Sequence, residues 1–113
     1  MQLKVIDPPR EFKPSPRVVS KDCAHIILET DEQVSFITEG GAEYDVARKE
    51  WGYYATPSLN GRLSSNGFKT ALTRSITNGR YFVMLVESMK QSLFFEYLKM
   101  ENMTFVEWLD ERT

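Results

Sequence analysis

Two dipeptides constrain this chain more than anything else in it: Gly40-Gly41 and Asn78-Gly79, each flanked by residues that alternate apolar and polar. Such pairs supply the positive φ angles that a tight turn needs, and the alternation on either side is the period of a strand with one wet face. In "QVSFITEGGAEYDVARKEW", Val34 and Phe36 precede the turn and Tyr44 and Val46 follow it. In "FKTALTRSITNGRYFVMLVE", Phe68, Thr70 and Leu72 alternate with Lys69, Ala71 and Thr73, and Tyr81 to Val86 is apolar on both faces. A strand of that last kind is expected at the centre of a sheet. "CAHIILET" adds a strand signal in Ala24, Ile26 and Leu28, for about five strands in all.

After Val86 the period changes from two to 3.6. Ser88 and Gln91 open a helix whose Met89, Leu93, Phe94, Tyr97, Leu98 and Met100 share one broad face, leaving Phe95 off it. The tail "TFVEWLDE" matches a capping box, Thr104 to Glu107, with Phe105, Trp108 and Leu109 as its apolar side. The expected fold is therefore α+β: an antiparallel sheet of about five strands in two hairpins, followed by two C-terminal helices packed on one face. Pro8, Pro9, Pro14 and Pro16 set residues 1–20 apart as an extended arm anchored by Phe12, leaving 21–113 as a single domain.

The chain has 113 residues, 42% hydrophobic and 27% charged, the composition of an ordinary folded domain. It shows no apolar run of signal-peptide length and no window of about 18 apolar residues. With Cys23 as the single cysteine, a reducing, cytoplasmic setting is expected, with no membrane partner. The net charge of −2 conceals a division. Residues 1–47 balance at −4 and residues 81–113 at −3, while residues 48–80 balance at +5.

That basic stretch contains "WGYYATPSLNGRL", the candidate site. Trp51, Tyr53 and Tyr54 offer flat faces to a sugar ring or a base, and Ser58 and Asn60 offer short polar groups. Arg62, with Arg48 or Arg74, offers donors suited to a carboxylate or phosphate. Read as structure instead, "GYYAT" is a strand that buries half of these rings. Catalysis is not expected. Cys23 and His25 would share a strand face, but no orienting group or oxyanion site accompanies them. The cluster Glu29, Asp31 and Glu32 has the look of a solvated turn, so no metal and no cofactor are expected. Phosphate-binding and hydrolase motifs are absent from the sequence.

"EYDVARKEWGYYATPSLNGRL", "GFKTAL" and "GRYFVMLVE" resemble a group of small bacterial proteins of unknown function associated with surface-polysaccharide or nucleotide-sugar gene neighbourhoods, over roughly residues 43–110. The resemblance implies a ligand resembling an activated sugar or anionic glycan, and no catalytic residues. The leading expectation is a binding or accessory module for a small anionic ligand. Its rivals are a single-stranded nucleic-acid module, disfavoured by overall acidity, and a homodimer or protein-interaction module using Phe95 and Trp108 of the C-terminal helices.

Overall fold

The computed structural model describes residues 1–113, and it is mostly β: 53% strand and 18% helix, in three small sheets with one substantial helix. The expected five-stranded sheet with two helices is thereby corrected. A two-stranded sheet pairs β1 (Gln2–Ser15) with β2 (Val18–Ile27). A second holds β3 (Gln33–Ile37), β4 (Glu43–Lys49) and β5 (Gly52–Tyr54) in that order. In the third, β6 (Phe68–Ser75) lies between β7 (Tyr81–Glu87) and β8 (Met103–Trp108). A single helical turn, α1 (Arg62–Ser65), joins the last two sheets, and α2 (Gln91–Met100) connects β7 to β8.

Residues 1–20 are more than an arm, because β1 and β2 form a long antiparallel hairpin and the boundary expected at residue 20 falls inside it. The prolines leave their mark in the pairing. The ladder breaks between Val5 and Arg10, where Pro8 and Pro9 have no N–H to donate, and resumes at Arg10 opposite Asp22. Leu3, Val5, Phe12, Val19 and Ile27 of this hairpin stay exposed.

The second C-terminal helix does not form. Asn102 takes a left-handed φ of 56°, which ends α2, and the chain returns as β8 alongside β6. Thr104, Phe105, Val106 and Trp108 suit a strand, so pairing to β6 overrides a capping-box match carried by only two residues. The new strand changes what α2 covers. The rings of Phe94 and Phe95 lie against Phe105 and Trp108 at centroid separations of 5.4 to 6.1 Å, and Leu98 is buried. Phe95 thus belongs partly to the packed face, whereas Met89, Leu93, Tyr97 and Met100, expected inside, are exposed. Likewise β7, expected at the centre, is an edge strand.

The core sits where α1 bridges two sheets. Leu63 is fully buried with Ala42 and Phe68, flanked by Tyr44, Leu59 and Leu85. Lys69 and Asp110 pin β6 to the chain end: Lys69 Nζ lies 2.8 Å from Asp110 Oδ2, and the Thr70 N–H donates to Asp110 Oδ1 at 2.8 Å. Asp110 thereby replaces a ladder partner that β8 has run out of.

Candidate functional site

Strand alternation decides which of the candidate residues meet. Glu43, Asp45, Ala47 and Lys49 share one face of β4, and Tyr44, Val46 and Arg48 share the other. Glu50 and Trp51 form the turn to β5, whose short pairing sets Ala47 opposite Tyr54 and Arg48 opposite Tyr53. The loop from Ala55 to Gly61 then folds back over the Ala47 face. Ser58 shapes it: its Oγ accepts the Arg62 N–H at 2.9 Å and its carbonyl accepts the Leu63 N–H at 3.0 Å, starting α1. At Gly61 a Cβ would stand 2.5 Å from Ser58 Oγ, so any other residue there would push that hydroxyl away from the Arg62 N–H.

The result is an open hollow of about 400 Å³ lined by Ala47, Lys49, Tyr54, Pro57, Ser58 and Arg62. Of the eight residues expected at the site, Tyr54, Ser58 and Arg62 converge here. Trp51 stands at the hairpin tip, 74% exposed and apart from the hollow. Asn60 is exposed beside it without lining it. Tyr53 and Arg48 lie on the opposite face, where the Arg48 guanidinium sits 5.7 Å from the Tyr53 ring centroid and donates to Gly52 O. Arg74 belongs to another sheet, lying over Tyr81 and donating to Gly79 O.

The hollow's two cations already have partners. Lys49 Nζ is 2.7 Å from the exposed Asp31, and Arg62 bonds to Asp45, whose carboxylate is 5% exposed. Ser35 Oγ, then Glu43 and Arg62, hold the Asp45 carboxyl below its ordinary 3.8 against the opposing effect of burial. Asp45 in turn pushes Glu43 above its ordinary 4.5 by hydrogen bonding and by its charge. Lys49 and Asp45 were missed in the sequence, although reading residues 43–49 with period two would have put Lys49, and not Arg48, on the loop's side.

A larger hollow of about 610 Å³ lies between Gly40–Ala42, Ser65–Gly67 and Glu87–Lys90. The charged and hydroxyl groups of its Glu87–Lys90 wall are committed internally. Thr38 and Lys90 hold the Glu87 carboxylate, and the Ser88 N–H and Oγ both donate to Gly67 O. Cys23 and His25 do not meet either: Cys23 Sγ donates to Lys21 O, and His25 Nε2 bonds Asp22 and Arg10. No group of three or more His, Cys, Asp or Glu side chains is placed to hold a metal ion, and no helix is long and apolar enough to cross a membrane. No family model, no curated protein and no solved structure matches the chain.

Proposed function

We propose that the protein is a non-enzymatic cytoplasmic binding module for a small sugar- or nucleotide-like ligand bearing one negative group, seated in the hollow beside α1. The observation that carries this reading is the convergence of the Tyr54 ring, the Ser58 hydroxyl and the Lys49 and Arg62 head groups around one concavity of suitable size. The two cations have different parts. Asp45 is too buried to be displaced, so Arg62 stays on it and offers its remaining N–H groups as hydrogen-bond donors. Asp31 is exposed and screened by solvent, so a ligand anion exchanges with it on Lys49 at little cost.

A nucleic-acid role draws less support. Lys49, Arg62 and Lys69, half of the basic stretch, are neutralised by Asp31, Asp45 and Asp110. The test is an NMR titration with glucuronate and, separately, uridine monophosphate. Amide shifts at Tyr54, Ser58 and Arg62 are expected, with affinity reduced about tenfold in Tyr54→Ala and in Lys49→Ala, about 1.4 kcal/mol each. Tyr54 is half exposed and Lys49 pairs only with the exposed Asp31, so the melting temperature should hold. No shift at millimolar ligand for either compound sinks the proposal.

A further inference from the structure

A chain of 13.1 kDa that folds compactly by itself exposes about 6,400 Å². This one exposes 8242 Å², about 1,800 Å² more, and its radius of gyration of 15.5 Å exceeds the roughly 13 Å expected for its length. The excess is about twice the ~800 Å² that one partner loses in an ordinary stable interface. The projecting β1–β2 hairpin supplies part of it. Exposed apolar side chains occur on every sheet, and among them Tyr81, Phe82 and Val83 stand in a row on β7 with Leu93 and Tyr97 of α2 also exposed.

Free strand edges are normally guarded by charge, proline, a bulge or brevity. Here β1 carries prolines, lysines and a ladder break, β2 carries Lys21 and Asp22, β3 and β5 are short, and β8 meets β6 through a register shift. Of these edges β7 offers the longest run without a guard: "YFVMLV", ahead of the terminal Glu87, has no charge, no proline and no irregularity against β6. Tyr81 is 61% exposed and Val83 60%. Beside this edge the exposed Leu93 and Tyr97 of α2 overhang a hollow of about 310 Å³ that also touches Leu85, Val86 and Phe94.

We infer that β7 pairs antiparallel with β7 of a second copy of this chain, about a two-fold axis through Met84. The backbone is set for it. Ser75 N–H donates to Arg80 O and Ser88 N–H to Gly67 O, so the even-numbered residues of β7 bond to β6. Alternation turns the N–H and C=O groups of Tyr81, Val83, Leu85 and Glu87 to the open edge. A two-fold perpendicular to the sheet preserves its faces and brings Val83 opposite Leu85 of the second copy, as a hydrogen-bonded pair. Phe82 comes opposite Val86 of the second copy and enters the hollow under Leu93 and Tyr97. Arg74, lying over Tyr81, adds positive charge to the row where Glu87 of the second copy arrives. The product is a six-stranded sheet with both α2 helices on one face and no unguarded edge at its centre.

Light scattering across a concentration series should give twice the 13.1 kDa chain mass. Val83→Lys is expected to raise the dissociation constant on the order of a hundredfold with an unchanged circular dichroism spectrum, because Val83 faces solvent in the single chain. Met84 meets its own copy at the axis in a non-hydrogen-bonded pair, with Cα atoms about 4.5 Å apart, inside disulfide range. Met84→Cys in a Cys23→Ser background should therefore cross-link to a covalent dimer under mild oxidation. A monomer at every concentration overturns the inference. So does a dimer that survives Val83→Lys and fails to cross-link, which would move the contact to another surface. Either result leaves the ligand reading standing, since the hollow beside α1 lies on a different sheet.

Discussion

Arg62 works on two sides at once, with its guanidinium partly in solvent and one edge on a carboxylate that is almost completely buried. Replacing it by Ala leaves Asp45 with Ser35 and Glu43 but no cation. A loss of about 1 kcal/mol in denaturant-determined stability is expected, toward the low end for a buried pair because the arginine is more than half exposed. An Arg62→Ala variant of unchanged stability would mean that Asp45 does not depend on it. The substitution is therefore a poor isolated probe of ligand binding, and Tyr54→Ala and Lys49→Ala are the cleaner ones. The residue types needed at the site were legible in "WGYYATPSLNGRL", but which of them meet was not. Tyr53 and Tyr54 are neighbours in sequence and opposites in space, Trp51 is spent on a turn, and Arg48 differs from Lys49 only in the parity of its position on β4.

At the scale of elements, the β1–β2 hairpin and β6 are opposite cases. A two-stranded ribbon with both faces largely wet is only marginally stable, whereas β6 is paired on both sides and includes the fully buried Thr70, Ala71 and Thr73. Amide hydrogen exchange in the middle of β1 and β2 should be at least about a hundredfold faster than in β6. Equal protection would show that the hairpin is covered by something beyond the single chain. The glycine pairs of the sequence lie in the β3–β4 and β6–β7 connections, because positive φ is a local demand and needs no tertiary help: Gly41 has φ 89° and Gly79 φ 72°. The tail was misread for the complementary reason. A six-residue segment such as "MTFVEW" carries too little intrinsic preference to resist a free strand edge, and its T-x-x-E spacing satisfies a helix cap on paper only.

The whole molecule is tied together by carboxylates from the acidic ends reaching the basic middle, which makes its stability depend on acid. Asp45 and Asp110 are held below their ordinary 3.8. For Asp110, burial works upward and is outweighed by Lys69 and the Thr70 N–H. Thr38 and Lys90 hold Glu87 below 4.5. A carboxyl depressed in the folded state adds stability that is fully present above its unfolded value and lost as pH falls through the lower, folded one. Glu43 is shifted the other way and opposes the trend slightly. Stability measured by urea should hold from pH 7 to about 5 and fall below about 4.5. Asp110→Asn should cost about 2 kcal/mol at neutral pH and flatten the acid slope. A variant with the full wild-type slope would remove Asp110 from this account. The sequence by itself determined that the chain turns at Gly40-Gly41 and Asn78-Gly79, that strands flank those turns, that a helix follows Val86, and that positive charge and rings gather in the middle, because each depends on residues close together in the chain. Only the tertiary structure decided that the strands divide into three sheets, that β7 is an edge, and which face of each strand looks into a hollow. These are matters of long-range pairing, in which one residue of register moves every side chain to the other side.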